Sequence, residues 1–450
     1  MNTNINWQKQ ILIGFLFFVL SLALFFQRNL FFGFDEWSIL YSLASNDLKS
    51  WLLQTHCGQF FPIGKALFYL QLLFFGDNYS LYLIFDCAAH ALNVLLFFML
   101  LSAFFPFFIS LFVSLVYLIS FTVFEASSLA INLNYFLSTG LILFSVIQTQ
   151  TYLRTGKRSS LALSFLSCVF GIFTFGMALI SPILNAAFAL VTFEKTNRRR
   201  FFLALGLNLI CFCCIAAIFI YFSRRGVTGS FHQVTGSQPM DLINSYMIVS
   251  KKFLEAISYG LFSIPFKYLF FLPKRFDEHL LLISVTGTFT ALVFFLYALG
   301  TKRFLVGSVA YFVSIGAFSA LPALARADAG GIRTCLTLKY QIFTLAIIFF
   351  AFALLFKSLY ASSRRKSVLT FVLIIFSINY VIGNIYGYRE TRKHIYHIRD
   401  GDASLQQYTL LKQKIGQNVA LTETEAEQIF DQTNPNFTKQ QAWLVFQSLF

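Results

Sequence analysis

Residues Ile11–Phe26 read ILIGFLFFVLSLALFF, a run with no charge and no proline. Lys9 is the only basic residue before it. The run resembles the apolar part of a secretory signal, but it has no convincing small-residue cleavage site, and further apolar runs follow. It therefore reads as an uncleaved first membrane span.

Working outward, the rest of the 450-residue chain repeats the pattern: 57% of residues are hydrophobic and 12% charged. A soluble domain carries about 25% charged residues, so lipid must be the solvent for most of this surface. The 60 Phe residues suit a lipid-facing exterior. A span needs roughly 17–25 apolar residues, and spans are expected near 10–26, 82–103, 106–124, 133–152, 160–176, 178–194, 200–222, 279–299, 303–321, 338–358 and 367–387. The expected fold is an all-α polytopic membrane protein of about eleven transmembrane helices.

The net charge of +15 sits in short clusters between spans: Arg154 with Lys157 and Arg158, Lys195 with Arg198 to Arg200, Lys302 with Arg303, and Arg364 to Lys366. With eleven spans all four fall on the side of the N terminus, which the positive-inside rule makes cytoplasmic. The C terminus then lies outside. Charge placed this way serves orientation, and no nucleic-acid motif or repeat accompanies it. Phe253 to Pro273 is apolar but carries Glu255, Pro265 and Lys267, and reads as an interfacial or re-entrant piece of the outer face. The expected organisation is a transmembrane domain over 1–388, with outer loops at 27–81, 223–278 and 322–339, and a small polar outer segment over 389–450.

Of the seven cysteines, Cys211, Cys213 and Cys214 lie in an apolar run as small core residues. Cys57 and Cys335 fall in predicted loops, where a disulfide is one open pairing. No zinc-type spacing is present.

The residues able to do chemistry gather on the outer face. Asp35 and Glu36 follow the first span in FFGFDEW, an aromatic setting where acids are costly to bury; on the residues alone a polar collar just outside the span suits them equally well. His56 precedes Cys57 to Pro62 and a half-apolar helix. His90 and Asn93 share one face of the second span. Glu125 stands at the outer end of the third span, followed by Asn132 and Asn134; a plain capping role suits it equally well. Arg326, Asp328, Arg333, Lys339 and Tyr340 close the set. Cations on an outer loop run against the positive-inside bias. They suit an anionic ligand such as a phosphate, which Arg grips with paired hydrogen bonds; pairing of Arg326 with Asp328, or headgroup contact, is the plainer explanation.

In the order of these motifs the chain resembles the GT-C superfamily of membrane glycosyltransferases, over roughly its first 150 residues and again at Arg326 to Tyr340. An acid pair in the first outer loop is that superfamily's hallmark. His56 to Val94 is similar to the corresponding part of tetratricopeptide-containing O-mannosyltransferases and related bacterial proteins, with a His, a Pro, a helix, a Gly turn and a His-Ala-Leu-Asn-Val span. Glu125-Ala126 stands where those proteins carry Glu-Ala; Asn134 stands where they carry a basic residue, and Lys339-Tyr340 where they carry Arg-Tyr.

The resemblance implies a sugar donor on a polyprenyl phosphate and a glycan, lipid or protein acceptor. It implies Asp35 as catalytic base with Glu36 assisting. It implies substrate contacts from His56, Glu125, Asn134, Arg326, Arg333, Lys339 and Tyr340, and in some members a divalent metal ion, here at Asp35 or Glu36. A bacterial inner membrane is the expected setting. A transporter or flippase of lipid-linked saccharides is the alternative; it calls for charges inside the spans and interrupted helices in matching halves, whereas the acids here cluster outside. A non-catalytic scaffold, or a polymerase using Arg224-Arg225, is the third reading.

Overall fold

A computed structural model describes residues 7–26, 30, 36, 39–40, 42–43, 46–54, 60–76, 78–192, 197–225, 346, 350, 353 and 366–398. Every regular element among them is helical. Helix α1 (Trp7–Phe25) lies along α4 (Tyr79–Ser102), and α4 also packs on α5 (Phe107–Leu118) and α7 (Leu133–Thr155). The most extensive pairing is α7 with α8 (Arg158–Thr174); α9 (Ser181–Thr192) and α10 (Arg198–Arg225) complete that side. Two short first-loop helices, α2 (Leu48–Leu53) and α3 (Pro62–Phe75), lie between α1 and α4 in sequence, and α3 packs on α8. The five-residue α6 (Thr122–Ala126) meets α11 (Lys366–Ile398).

Local sequence explains several helix limits. Pro62 occupies the first turn of α3, where a missing N–H costs nothing. Asp47 caps α2, its carboxylate accepting from the Ser50 amide at 3.0 Å. Gly156 ends α7 with φ +76°, the left-handed conformation that glycine adopts most easily.

Among the described residues two helices, Tyr79–Ser102 and Ala130–Thr155, are long and apolar enough by length and composition to cross a membrane. Helix α4 buries Tyr79, Asp86, His90 and Asn93 on one face and exposes Phe85 and Leu92 on the other. Elsewhere Phe108 is 81% exposed, Phe74 78% and Ile11 70%. Apolar surface this extensive, turned outward, fits lipid contact better than water.

The described helices match the expected spans to within a few residues at 10–26, 82–103, 133–152, 160–176 and 200–222. The region expected as one span over 106–124 is different: α5 stops at Leu118 and α6 begins at Thr122. Helix α11 resolves the break. Its Asn384 side chain accepts the Phe121 amide at 2.8 Å, while Tyr380 and Tyr388 donate to the carbonyls of Val116 (2.8 Å) and Ile119 (3.2 Å). Backbone groups freed in an apolar setting need such partners. Gly387 permits the approach, since a Cβ there would lie 2.6 Å from the Phe121 ring.

Helix α11 itself runs to Ile398, past the expected end of its span at 387. The spans expected at 279–299 and 303–321, the loop beyond Arg225, the loop at 322–339 and the tail beyond Ile398 lie outside the described residues. Of 338–358, residues Ala346, Phe350 and Ala353 are described; Phe350 packs on Phe104, Phe105 and Phe188.

Candidate functional site

The N-terminal ends of α4 and α7 meet around one buried carboxylate. Glu36 has no solvent exposure, although it follows α1 by only a short stretch of chain. Its Oε1 accepts the Ile131 amide at 3.3 Å. The Tyr79 hydroxyl, at the first residue of α4, faces Glu36 Oε1 at 3.0 Å and Oε2 at 3.2 Å, with the Ser128 carbonyl also at 3.2 Å. The same phenol oxygen accepts the Ala130 amide at 3.2 Å.

The chemistry of this arrangement follows from the backbone. Ala130–Asn132 is a turn of 3-10 helix leading straight into α7, so its amides are among the free N–H groups at a helix start. A carboxylate placed there meets both hydrogen-bond donors and the positive end of the helix dipole. Glu36 thus caps α7 from a different part of the chain. The turn ahead of it closes on itself: Asn132 Nδ2 donates to the Ala126 carbonyl at 2.9 Å and Ser127 Oγ to that of Phe124 at 3.2 Å.

Asn134 is the second residue of α7 and is 3% exposed. It packs against the start of α3: a Cβ added at Gly64 would lie 2.8 Å from Asn134 Oδ1 and 2.5 Å from the Thr174 carbonyl. Only glycine lets these three segments approach so closely.

Next to Gly64 stands a residue that the sequence reading passed over. Lys65 is 2% exposed, and its ammonium donates to the carbonyls of Trp51 (2.7 Å) and Gln54 (2.8 Å) at the end of α2. The Trp51 and Phe61 rings flank it at 5.2 and 5.8 Å. Burial lowers its pKa to about 8. The available signal was one lysine in the otherwise apolar run PIGKALFYL; only the fold shows that it turns inward.

Of the residues predicted from sequence, the structure brings Glu36 and Asn134 to the same end of α7. Glu125 lies in α6 on the chain leading into that turn. Asp35, His56, Arg326, Arg333, Lys339 and Tyr340 lie outside the described residues. His90 and Asn93 are deeper and buried: His90 Nε2 meets the Leu118 carbonyl at 3.3 Å, and Asn93 Nδ2 donates to that of Phe136 at 2.8 Å. Among the described residues no group of three or more His, Cys, Asp or Glu side chains is arranged to hold a metal ion.

No protein-family profile matches the sequence, and no curated protein does. Solved structures show a distant likeness. One is the archaeal oligosaccharyltransferase AglB from Archaeoglobus fulgidus in complex with an inhibitory peptide and a dolichol-phosphate: TM-score 0.42 and 12% identity, over 90% of this chain and 60% of that one. A second is the Archaeoglobus fulgidus oligosaccharyltransferase tethered to an acceptor peptide containing the NVT sequon, at 0.42 and 14%, over 85% of this chain and 55% of that one. A third is the apo form of that enzyme, at 0.42 and 12%, with coverage of 90% and 60%. The chain thus spans about 60% of the length of the structures it is similar to.

Proposed function

We propose that this chain is a GT-C-type glycosyltransferase. It would move a sugar from a polyprenyl-phosphate donor to a glycan, lipid or protein acceptor on the outer face of a bacterial inner membrane, through a bundle of about eleven spans. The observation that carries the reading is the bond from the Ile131 amide to Glu36, which joins the acid-pair stretch of the first outer loop to the turn between Glu125 and Asn134. Those are the two segments the sequence resemblance assigns to the site, and they lie 95 residues apart.

In this reading Asp35 takes the proton of the acceptor hydroxyl as its oxygen attacks the anomeric carbon. The bond to the lipid phosphate breaks, and the configuration at that carbon inverts. Arg326, Arg333 and Lys339 hold the phosphate and offset its growing charge. His56, Glu125, Asn134 and Tyr340 contact the substrates. Glu36 is spent on the helix cap, so its contribution is to orient the loop.

The test is sugar transfer by purified protein in nanodiscs, supplied with a panel of polyprenyl-phosphate sugars. Asp35→Asn should abolish transfer while leaving folded yield and melting temperature unchanged. Equal turnover in that variant and the parent would remove Asp35 as the base.

A further inference from the structure

We infer that Tyr79 is a positioning residue, acting through Glu36, that holds the first outer loop in register with the turn at the start of α7. The inference rests on the transferase reading above for its catalytic consequence, and on geometry alone for the clamp.

Tyr79 sits where three separate pieces of chain converge. Its hydroxyl faces both oxygens of Glu36 and the Ser128 carbonyl, and accepts from Ala130. A phenol has one hydrogen and an oxygen that accepts, so it can serve the carboxylate on one side and a backbone amide on the other. Its ring is buried and stacks on Tyr82 at 5.8 Å with 29° between planes, while Tyr82 donates to the Gly76 carbonyl at 2.8 Å. The hydroxyl is thus fixed on a rigid helix whose preceding turn is also tied down.

Consecutive Cα atoms are about 3.8 Å apart, so whatever fixes Glu36 limits the reach of residue 35. A misplacement of about 1 Å at a reacting group is enough to cost about a hundredfold in rate. A hydroxyl that never touches substrate can therefore act on the chemical step without acting on donor binding.

The experiment has two arms. In the first, hydrogen exchange of peptides covering residues 128–133 is compared between the parent and Tyr79→Phe at equal melting temperature. The expected result is about tenfold faster exchange in the turn, the effect of losing one hydrogen bond to a charged group. Unchanged exchange would overturn the clamp.

In the second arm, transfer kinetics should show kcat lowered about tenfold in Tyr79→Phe, with donor KM within about twofold of the parent. Glu36→Gln keeps an acceptor for Ile131 and Tyr79, and should retain most of the turnover that Glu36→Ala loses. Tyr79→Phe combined with Glu36→Ala should be no worse than Glu36→Ala alone. Faster exchange with kcat unchanged would overturn the positioning role. A parent inactive with every donor would refute the transferase reading and the catalytic use of the clamp together, while the exchange arm still decides whether the clamp exists.

Discussion

Two buried polar regions in this bundle are built on opposite principles. Between α7, α8, α9 and α10 the polar side chains are neutral and mostly paired, with Gln150 Oε1 and Ser181 Oγ alone lacking a partner among the described residues. Asn185 Nδ2 is set against Asn208 Oδ1 at 3.0 Å, Cys168 Sγ at 3.3 Å and Ser164 Oγ at 3.4 Å, and its Oδ1 accepts from Ser145 at 3.3 Å. Asn208 returns to the Ala204 carbonyl at 2.8 Å, and Thr149 and Ser164 pair at 2.7 Å. On α4 the polar row includes ionisable groups, and several of its atoms have no hydrogen-bond partner among the described residues: both oxygens of Asp86, Nδ1 of His90 and Oδ1 of Asn93, with the Tyr117 hydroxyl of α5 nearby. Helix association in lipid is well served by neutral hydrogen bonds between helices. It gains nothing from an unpaired acid, and such acids in membrane segments mark function rather than adhesion. The row with the unpaired acid is the one whose N-terminal end carries Tyr79 and the Glu36 clamp.

Lys65 sharpens the contrast, because it is buried and ionisable yet bonded to two carbonyl acceptors, and its effect should be the largest. The unfolded chain holds this proton up to about 10.5, and the folded chain only to about 8. Between those values the unfolded state carries more protons, so stability climbs as pH rises. A shift of this size amounts to at most about 3 kcal/mol. The neutral amine keeps two hydrogens for the two carbonyls, so the cap survives the loss of charge. Thermal unfolding in detergent from pH 7 to 10.5 should show this gain in the parent and lack it in Lys65→Met. Identical pH slopes in the two proteins would mean the ammonium is solvated.

A smaller effect is expected in the neutral network. Asn185→Leu conserves approximate volume but leaves Asn208 Oδ1 without its partner. The cost should be about 2 kcal/mol in unfolding free energy, the penalty for orphaning a buried acceptor together with the bonds lost. Transfer activity per folded molecule should hold at the parent value. A loss of activity at full stability would place this network in function and erase the distinction between the two regions.

Much of the scaffold was legible because hydropathy is additive along the chain. The runs at 82–103 and 133–152 stand out on their own residues, and α4 and α7 follow them closely. The break after Leu118 was not legible. Ser120, Phe121 and Thr122 barely change the local hydropathy, and the group that makes the break tolerable, Asn384, lies 263 residues away. The acid pair was visible as an oddity in an aromatic stretch. That Glu36 caps a helix beginning near residue 130 depends on a tertiary contact that no local pattern encodes. Tyr79 is one more aromatic in an aromatic-rich chain, and Lys65 a single charge in an apolar run; each acquires its role from partners brought together by folding.

The finest test of the comparison is Asp86→Asn, where the expected change is the smallest. Asp86 has no exposure and no donor among the described residues, and the Glu36 carboxylate is within electrostatic range. A charge there has nothing on the described helices to hold it, and an amide of nearly the same shape does away with it. Unfolding free energy should therefore stay within about 1 kcal/mol of the parent, on either side of zero. A carboxylate in a true buried ion pair behaves differently, since removing one partner costs about 3–5 kcal/mol. If Asp86→Asn falls by that amount, a cation reaches α4 from beyond the described helices, and the two polar regions are equally well paired. If stability holds while transfer falls, Asp86 serves the N-terminal end of α4 rather than the packing of the bundle.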